Sequence, residues 1–287
     1  MNSVPERRDD EPPGTKVSVV VVAYNSEQVL GECLRCLARQ TEPAFECIVV
    51  DNASSGAPPD ALMPDDNRFR LVALDRNAGF AAANNIGAGV AAGDFIVTLN
   101  PDAFVSADFL ATLLAAAEQN PAADMFGCTM LAAGDSALLD GAGDNLSIFG
   151  IPWRGGHGRK VPDDLPDLAE VFGPCAAAAM YRRAAFERVG GFDASFFCYL
   201  EDVDLAYRLR LAGGRCLHVG QGLVRHVGAA STGGVDASAD YFGARNAVFL
   251  AVKNTPAALM PVVLPCLFLG LTGLFVKAVV TGRPGAV

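Results

Sequence analysis

Three carboxylates fall within four residues at Glu201, Asp202 and Asp204, where a stretch with helical spacing begins. Acidic residues at a helix start interact favourably with the helix dipole, so capping alone would explain them. Apolar residues flank Asp202 on both sides, however, and in such an environment a carboxylate can act as a general base. The sequence therefore makes Asp202 a candidate catalytic base.

A further carboxylate, Asp102, follows the apolar run 94–99 and stands next to Pro101. A divalent cation held by a carboxylate neutralises a diphosphate with little additional protein machinery. We expect Asp102 to bind such a cation, with His226 as a candidate second ligand. For each of the three histidines an ordinary surface or core role is the alternative, and that role is assigned to His157 and His218.

Polar side chains also close the first two apolar runs of the chain. Asn25 follows the first run, and Asp51 and Asn52 follow the second, together with two serines. Amides, carboxylates and hydroxyls facing one crevice would suit a nucleoside, because they can bond base edges and ribose hydroxyls. The alternative is that these residues only form turns or cap helices.

A third polar cluster contains Arg76 and Asn77, and Gly79 follows it at the start of an Ala-rich helix. The amides of a helix N-terminus can bind an anion, and Arg76 would add a full positive charge. The glycine fingerprint of dinucleotide-binding folds is missing here, because the spacing of Gly87, Gly89 and Gly93 does not fit it. A nicotinamide cofactor is therefore disfavoured.

These clusters require elements that bring them to one edge of a sheet. Residues 17–23 form a continuous β-branched run, which is typical of a strand covered on both faces in a parallel sheet. The pattern predicts further strands at 45–50, 70–74, 94–99, 215–219 and 223–226, and helices at 27–39, 80–92, 182–189, 201–212 and 240–252. Residues 134–168 have weak periodicity and predict irregular strands with a mobile loop. In such α/β sheets, ligands bind beyond the carboxyl ends of the strands.

Composition excludes several classes of protein. The chain has 287 residues, of which 51% are hydrophobic, so it is long and apolar enough to fold around a sizeable core. Its net charge of −10 makes nucleic acid an unfavourable partner. The eight cysteines lie mostly within apolar runs, which indicates reduced core residues in a cytosolic chain. Residues 1–15 lack an apolar segment and are expected to be a disordered lead-in.

The end of the chain differs from the rest. No acidic residue follows Asp240, and residues 254–276 carry no charge at all. Twenty-three uncharged residues are long enough to cross a bilayer, although Pro261 and Pro265 equally suit a segment in the membrane interface. Basic residues at 277 and 283 favour contact of residues 254–283 with anionic lipid. The alternative is a hairpin buried against the catalytic domain or a dimer partner.

Taken in order, these motifs resemble family 2 glycosyltransferases of the GT-A fold, and among them the rhamnosyltransferase-like members. The resemblance covers residues 16–283 and rests on the following segments: VSVVVVAYNS, VVDNASSG, RNAGFAAANNIG, LNPDA, GGFDASFFCYLEDVDLAYRLRLAGG, RHVGAAST and ARNAVFL. LNPDA takes the place of the family's Asp-x-Asp metal motif. Asn100 therefore stands where many relatives have a first aspartate.

The resemblance implies a Rossmann-like, mostly parallel sheet with flanking helices in a domain at 16–252, followed by a hydrophobic, membrane-associated tail at 253–287. Asp202 would be the base, Mg²⁺ or Mn²⁺ would bind Asp102 and His226, and Glu201, Asp204 and Arg208 would support or position the acceptor. It places these residues at the nucleotide-sugar: Ala23, Tyr24, Asn25, Asp51, Asn52, Arg76, Asn77, Gly79, Asn84 and Asn100.

The implied activity is metal-dependent, inverting transfer of a hexose, with rhamnose the first expectation. The donor would be a dTDP- or UDP-sugar and the acceptor a glycan or lipid-linked sugar, in cell-surface polysaccharide synthesis. The protein would act at the cytoplasmic face of the membrane, peripherally or anchored by its C-terminus. It would do so as a single chain or as a homo-oligomer. The alternatives are a nucleotidyltransferase on a similar sheet, which the missing Gly-rich, Lys-bearing loop disfavours, and a non-catalytic nucleotide-sugar binding protein. All of this requires Asp102 and Asp202 to face one cleft.

Overall fold

The β-branched first run of the chain forms the middle of a sheet in the computed structural model, which describes residues 14–228 and 237–280. The first four strands are β1 (Val17–Ala23), β2 (Phe45–Asp51), β3 (Phe69–Ala73) and β4 (Phe95–Leu99). They pair in parallel in the order β4-β1-β2-β3. Every residue of β1 is buried, which explains its lack of polar alternation.

Helices cover both faces of this half of the sheet. They are α1 (Glu27–Ala38), α2 (Phe80–Gly89) and α3 (Phe109–Gln119). Successive β1 residues point to opposite faces, so Val19 packs in one cluster with Leu34 of α1 while Val20 packs in another with Ala83 of α2. The predicted α/β arrangement of the first half is confirmed, with α2 ending at Gly89 rather than near residue 92.

The second half of the chain adds the remaining elements. The strands are β5 (Ala103–Val105), β6 (Met125–Ala132), β7 (Asp135–Gly141), β8 (Asp144–Leu146), β9 (Pro152–Arg154), β10 (Leu168–Val171), β11 (Ala178–Arg182) and β12 (Cys216–His226). The helices are α4 (Arg183–Arg188), α5 (Glu201–Leu211), α6 (Ala237–Asn254) and α7 (Met260–Val280), and 3-10 turns cover Pro59–Leu62, Ala194–Phe196 and Ala257–Leu259.

The complete sheet is mixed rather than mostly parallel. Its main path runs β10-β12-β6-β11-β4-β1-β2-β3, with β5 paired to β12 and β7 to β6. β11 is antiparallel to both of its neighbours, β4 and β6. The two short strands expected at 215–219 and 223–226 are one strand, β12, whose register against β6 shifts between Val219 and Leu223. Gly220 and Gly222 lie in that irregularity.

The C-terminal region packs onto the domain as a helical pair. Val263 and Leu267 of α7 are buried against Ala247 and Ala251 of α6. Among residues 14–228 and 237–280, no helix combines the length and apolar character that crossing a membrane would need. The lead-in over 1–13, the end of RHVGAAST from residue 229 and the last seven residues lie outside the described part of the chain.

Candidate active site

A cleft of about 680 Å³ opens at the carboxyl ends of β1 and β4. Asp102 and Asp202 both line it, although 100 positions of sequence separate them. The single cleft that the predicted chemistry requires is therefore present. Nine of the predicted site residues line it: Tyr24, Asn52, Asn77, Gly79, Asn100, Asp102, Glu201, Asp202 and His226.

The turns after β1 and β2 are held together by the side chains of Asn25 and Asp51. Asn25 Oδ1 accepts hydrogen bonds from the Ser55 N–H at 2.8 Å and the Ser55 hydroxyl at 3.1 Å. Asp51 Oδ1 accepts from the Ser54 N–H at 3.0 Å. Asn25 and Asp51 thus perform the turn-forming role that was their alternative, and neither lines the cleft; Ala23 is buried behind them.

Asn52 and Asn77 connect the second turn to the third. Asn52 Nδ2 donates to Asn77 Oδ1 at 2.9 Å, and Asn52 Oδ1 accepts from the Ala78 N–H at 2.8 Å. Asn77 Oδ1 also accepts from the Gly79 N–H at 2.9 Å. This pair fixes the shape of the wall that Tyr24, 38% exposed, completes. Arg76 is exposed and lies outside the lining.

Gly79 marks the point where the two sides of the cleft meet. Its φ is +85°, and a Cβ there would lie 2.5 Å from Phe197 Cδ2 and 2.7 Å from the Phe197 carbonyl oxygen. Only glycine fits this conformation and this approach. The Ala81 N–H, in the first turn of α2, donates to the same carbonyl at 3.2 Å. This one amide is therefore satisfied by the protein and is not available to an anion.

The candidate metal ligands are brought together by the pairing of β5 with β12. His226 lies opposite Ala103 in this ladder, which places its Nε2 3.3 Å from Asp102 Oδ1. This Nε2 is buried. A buried ring nitrogen this close to a carboxylate oxygen suits a cation shared by the two side chains.

Asp140 orients the imidazole from its other side. Asp140 Oδ2 lies 2.9 Å from His226 Nδ1, the contact by which a carboxylate sets the orientation of a ligating histidine. Burial lowers the pKa of His226, but the carboxylates of Asp102 and Asp140 outweigh it and raise the pKa to about 9. Asp140 follows no periodic pattern in the sequence, and we did not predict it.

Asp202 is held at the start of α5 by two backbone amides. Its Oδ2 accepts from the Ala176 N–H at 3.0 Å and its Oδ1 from the Val203 N–H at 2.8 Å. The side chain is only half-buried at the cleft surface, so a substrate hydroxyl can approach a carboxylate whose orientation is already set.

The loop before Asp202 has unusual backbone geometry. Phe197, Tyr199 and Leu200 have φ values of +65°, +71° and +64°, a region that residues with a Cβ seldom adopt. Asn246 of α6 is fully buried and its Nδ2 donates to the carbonyls of Phe196, Cys198 and Tyr199 at 3.0, 2.8 and 2.6 Å. The ARNAVFL segment thus holds the strained loop in place.

A second group of charged residues in the cleft was not predicted. Arg154 of β9 donates to Asp140 Oδ2 and to Cys175 Sγ, both at 3.0 Å, and its Nε lies 3.9 Å from Asp144 Oδ1. The ligand atoms of Asp144, Cys175 and Asp202 lie within 4.8 Å of one another. Because the Arg154 guanidinium already supplies the positive charge there, this group does not suit a second metal ion.

Two carboxyls beside Asp202 are buried, and burial favours their neutral forms. Burial first, and the Asp202 carboxylate next, raise the pKa of Asp144 to about 8. The same two causes raise the pKa of Glu201 well above its usual range. A carboxyl that favours its neutral form is a poor proton acceptor, so neither neighbour suits the role of a base.

Three further predicted residues, besides Ala23, Asn25, Asp51 and Arg76, lie outside the cleft lining. Asp204 is buried and accepts from Arg208 Nε at 2.8 Å and from Asn254 Nδ2 at 2.7 Å. Arg208 also donates to the carbonyls of Val189 and Gly191, so the pair connects α5 to the neighbouring turn and to α6 instead of facing an acceptor. Asn84 is buried in α2 and bonds the Phe80 carbonyl. His157 is exposed, His218 is buried, and the eight cysteines are free.

Comparison with known proteins identifies the family of this chain. The family described as Glycosyl transferase family 2 matches residues 18–190, more than half of the chain. The chain is 30% identical over 241 residues to the N-acetylglucosaminyl-diphospho-decaprenol L-rhamnosyltransferase of Mycobacterium tuberculosis H37Rv, covering 75% of this chain and 77% of that protein. It is 26% identical over 187 residues to the uncharacterized glycosyltransferase YwdF of Bacillus subtilis, covering 64% of each.

Solved structures share the fold at low identity. S. aureus TarS 1–349 in complex with UDP-GlcNAc aligns with a TM-score of 0.59 at 18% identity, covering 84% of this chain and 68% of that one. GalNAc-T7 with UDP, GalNAc and Mn²⁺ aligns with a TM-score of 0.63 at 17% identity, covering 74% of this chain and 43% of that one. The motifs, the mixed sheet and the matched region together establish that this chain belongs to glycosyl transferase family 2 and has the GT-A fold.

Proposed function

We propose that this protein transfers a hexose from a nucleotide diphosphate sugar to an acceptor hydroxyl, with inversion at the anomeric carbon. The observation that carries this proposal is the shared cleft, with the Asp102–His226 pair and the Asp202 carboxylate both in its lining. The Asp102–His226 pair supplies a site for a cation and for the diphosphate that the cation neutralises. The Asp202 carboxylate supplies a base.

In the proposed reaction, Asp202 accepts the proton of the acceptor hydroxyl while the acceptor oxygen forms a bond to the anomeric carbon. The bond from that carbon to the diphosphate oxygen breaks on the opposite face, and its electron pair leaves with the nucleoside diphosphate. Attack opposite to the leaving group inverts the configuration. The amides of Ala176 and Val203 keep Asp202 oriented through this step.

Asp102 and His226 are the residues that would hold Mg²⁺ or Mn²⁺. The bound cation would neutralise the charge that builds on the leaving diphosphate. Asp140 keeps the His226 ring oriented from its Nδ1 side, and Asn100 contributes a neutral amide where a further carboxylate would add negative charge. Tyr24, Asn52 and Asn77 form the wall proposed for the nucleoside.

The relatives narrow the substrates. The name of the mycobacterial relative gives a rhamnosyl donor and a decaprenyl diphosphate acceptor that carries N-acetylglucosamine, whereas the TarS structure contains UDP-GlcNAc. We infer a lipid-linked acceptor and a dTDP- or UDP-sugar donor, with dTDP-rhamnose tested first. A lipid-linked acceptor also accords with a membrane-associated tail at 253–287 and action at the cytoplasmic face of the membrane, in the synthesis of cell-surface polysaccharide.

The test combines binding and turnover. A thermal-shift panel of dTDP-rhamnose, UDP-glucose and UDP-galactose with Mn²⁺ or Mg²⁺ identifies the donor, because bound ligand raises stability. The donor found is then incubated with polyprenyl-diphospho-N-acetylglucosamine, and the lipid product is detected by mass spectrometry. We expect metal-dependent transfer that is abolished by EDTA and by Asp102→Ala.

Two other outcomes would contradict the proposal. Pyrophosphate released from a nucleoside triphosphate and a sugar phosphate would make the protein a nucleotidyltransferase. Metal-independent nucleotide-sugar binding without product, across the acceptor panel, would make it a binding protein.

A further inference from the structure

The hairpin formed by β8 and β9 rests on the two C-terminal helices. Ile151 packs against the cluster that contains Val263 and Leu267 of α7, and Leu146 packs against Leu250 of α6. Glycines bring the two elements close together, because a Cβ at Gly270 would lie 2.9 Å from Ile151 Cδ1. The hairpin and α7 are therefore neighbouring parts of one surface.

Large apolar side chains of both elements point away from the protein. On the hairpin, Ile148 is 84% exposed and Phe149 is 40% exposed. On α7, Phe268 and Leu269 are 69% and 68% exposed. Such residues at adjacent places on a surface mark an interaction site rather than the scattered apolar residues of an ordinary surface.

The hairpin also leads directly to the active site. Pro152 and Trp153 of β9 line the cleft, and Trp153 is 52% exposed. The apolar surface of Ile148 and Phe149 thus begins a few residues from the mouth of the cleft where Asp202 lies. A partner docked on this surface would sit beside the entrance that an acceptor must use.

The charge of this surface differs sharply from that of the rest of the chain. The hairpin tip, 147–151, carries no charged residue, and residues 241–287 carry no Asp or Glu. At the chain's average of 32 acidic residues in 287, the 47 positions of the second segment would carry about five. That segment instead carries four basic residues, at positions 245, 253, 277 and 283. Exposed apolar residues with neighbouring basic ones match an anionic lipid surface.

We propose that the tip of the hairpin, 147–151, and the outward face of α7 form one membrane-docking surface, which binds an anionic lipid bilayer and holds the mouth of the cleft at the lipid headgroups. The role of this docking in presenting a lipid-linked acceptor rests on the proposed function, whereas the docking itself does not. Ile148 and Phe149 insert into the headgroup region of the bilayer, as a second contact besides that of α7.

A second copy of the chain suits this surface less well. A two-fold interface brings the same patch of each subunit together. The basic residues of 241–287 would then lie near their own copies, and that segment has no acidic residue to neutralise them. Lipid phosphates supply the complementary charge instead.

The test uses the full chain and vesicles of phosphatidylcholine, with or without 30% phosphatidylglycerol as an arbitrary anionic fraction on the order of natural membranes. We expect co-flotation with the anionic vesicles, at least about tenfold weaker binding for the Ile148→Ser/Phe149→Ser variant, and little binding to phosphatidylcholine alone. Leu211→Ser is the matched control, because Leu211 is 61% exposed at the end of α5, outside both segments, and its binding should match the wild type.

Activity distinguishes failure of this inference from failure of the proposed function. Neither Ile148 nor Phe149 lines the cleft, so the double variant should transfer sugar to a short, water-soluble acceptor at the wild-type rate and lose transfer only to acceptor embedded in vesicles. Unchanged vesicle binding by the double variant would overturn the docking surface while leaving the transferase intact. A change in oligomeric state by light scattering, with vesicle binding unchanged, would instead identify an interface between copies and also overturn it. Hairpin-dependent vesicle binding without any sugar transfer would support docking and contradict the proposed function.

Discussion

The proposed donor side of the cleft, formed by the turns after β1, β2 and β3, and the proposed acceptor side, formed by the loop 196–200 before Asp202, are built in different ways. On the donor side, the turns after β1, β2 and β3 are closed by hydrogen bonds among neighbouring turn residues, such as Asn25 with Ser55 and Asn52 with Asn77. On the acceptor side, the loop 196–200 has three residues in a strained conformation, and the buried amide of Asn246, about fifty positions away, donates to three of its carbonyls.

This difference separates binding from chemistry. The donor side is shaped by a buried parallel sheet, so its geometry is fixed before any ligand arrives. The acceptor side depends on a strained loop that contacts with α6 help to hold in place. We therefore expect changes on the acceptor side to alter turnover while donor binding is preserved.

The largest effect should follow from Asp202→Asn, which removes the proposed base without changing the shape of the side chain. General-base catalysis contributes about 10²–10⁴-fold, so we expect kcat to fall by that factor with the donor Kd unchanged. The control is Asp204→Asn on the same helix, where the carboxylate pairs with Arg208 outside the cleft. This control should lower the Tm but keep its turnover, and near-normal turnover of Asp202→Asn would remove Asp202 from the mechanism.

The next largest effect should follow from Asn246→Ala, which removes the donor that holds three loop carbonyls. Buried acceptors left unsatisfied cost about 1–3 kcal/mol, and a loss of this size in the transition state lowers kcat by roughly five- to 150-fold. Steady-state kinetics and a donor titration measure the two sides separately. Asn254→Ala is the matched control, because Asn254 also lies on α6 but donates to Asp204. A higher Kd for the donor in Asn246→Ala would contradict the expectation that the two sides act independently.

A pH-dependent effect should follow from Asp144→Asn. Asp144 has a pKa of about 8 in the fold and about 3.9 when unfolded. Its neutral form is favoured in the folded protein, so its contribution to stability is full below about pH 4 and is lost as the pH rises to 8. Asparagine has no charge to bury, so the Tm of the variant minus that of the wild type should increase between pH 4 and 8 and level off above. Thermal melts across this range measure it, and a constant difference would contradict the buried neutral carboxyl.

The smallest effect should follow from Arg76→Ala on the donor side. Arg76 is exposed and lies outside the cleft lining, where solvent and salt weaken its attraction to a diphosphate. We expect the donor KM to rise by less than about threefold. A tenfold rise would show that the diphosphate extends beyond the cleft to this turn, as the resemblance to relatives implied.

The sequence was most informative where structure is local. The run at 17–23 and the polar residues that follow it predicted β1 and the position of Tyr24, because strand pattern and turn chemistry act over a few residues. The second half was harder to predict. β6 and β11 were missed because their apolar runs contain Met, Cys and Ala rather than β-branched residues.

Asp140, Asp144 and Arg154 were missed for a different reason. They lie in a region with weak periodicity, and their functional contacts are distant in sequence, such as Asp140 with His226 across 86 positions. The resemblance also implied that Asp204 and Arg208 support or position the acceptor. Both lie outside the cleft lining, where Asp204 bonds Asn254 of α6 and Arg208 bonds the turn at 189–191. Residue types alone did not distinguish a carboxylate that lines the cleft, such as Asp202, from one that pairs with an arginine outside it, such as Asp204.

By itself, the sequence determined the fold class, the family and the chemical groups at the ends of the strands, because each depends on residue types over short stretches. The tertiary structure alone decided which of those groups face one another. Asp202 and Asp204 are two positions apart, about 200° around a helix, so only one of them can face the cleft. The pairing of β5 with β12 brings His226 to Asp102, and the packing of α6 holds the loop that places Asp202. These contacts join residues that are far apart in the chain.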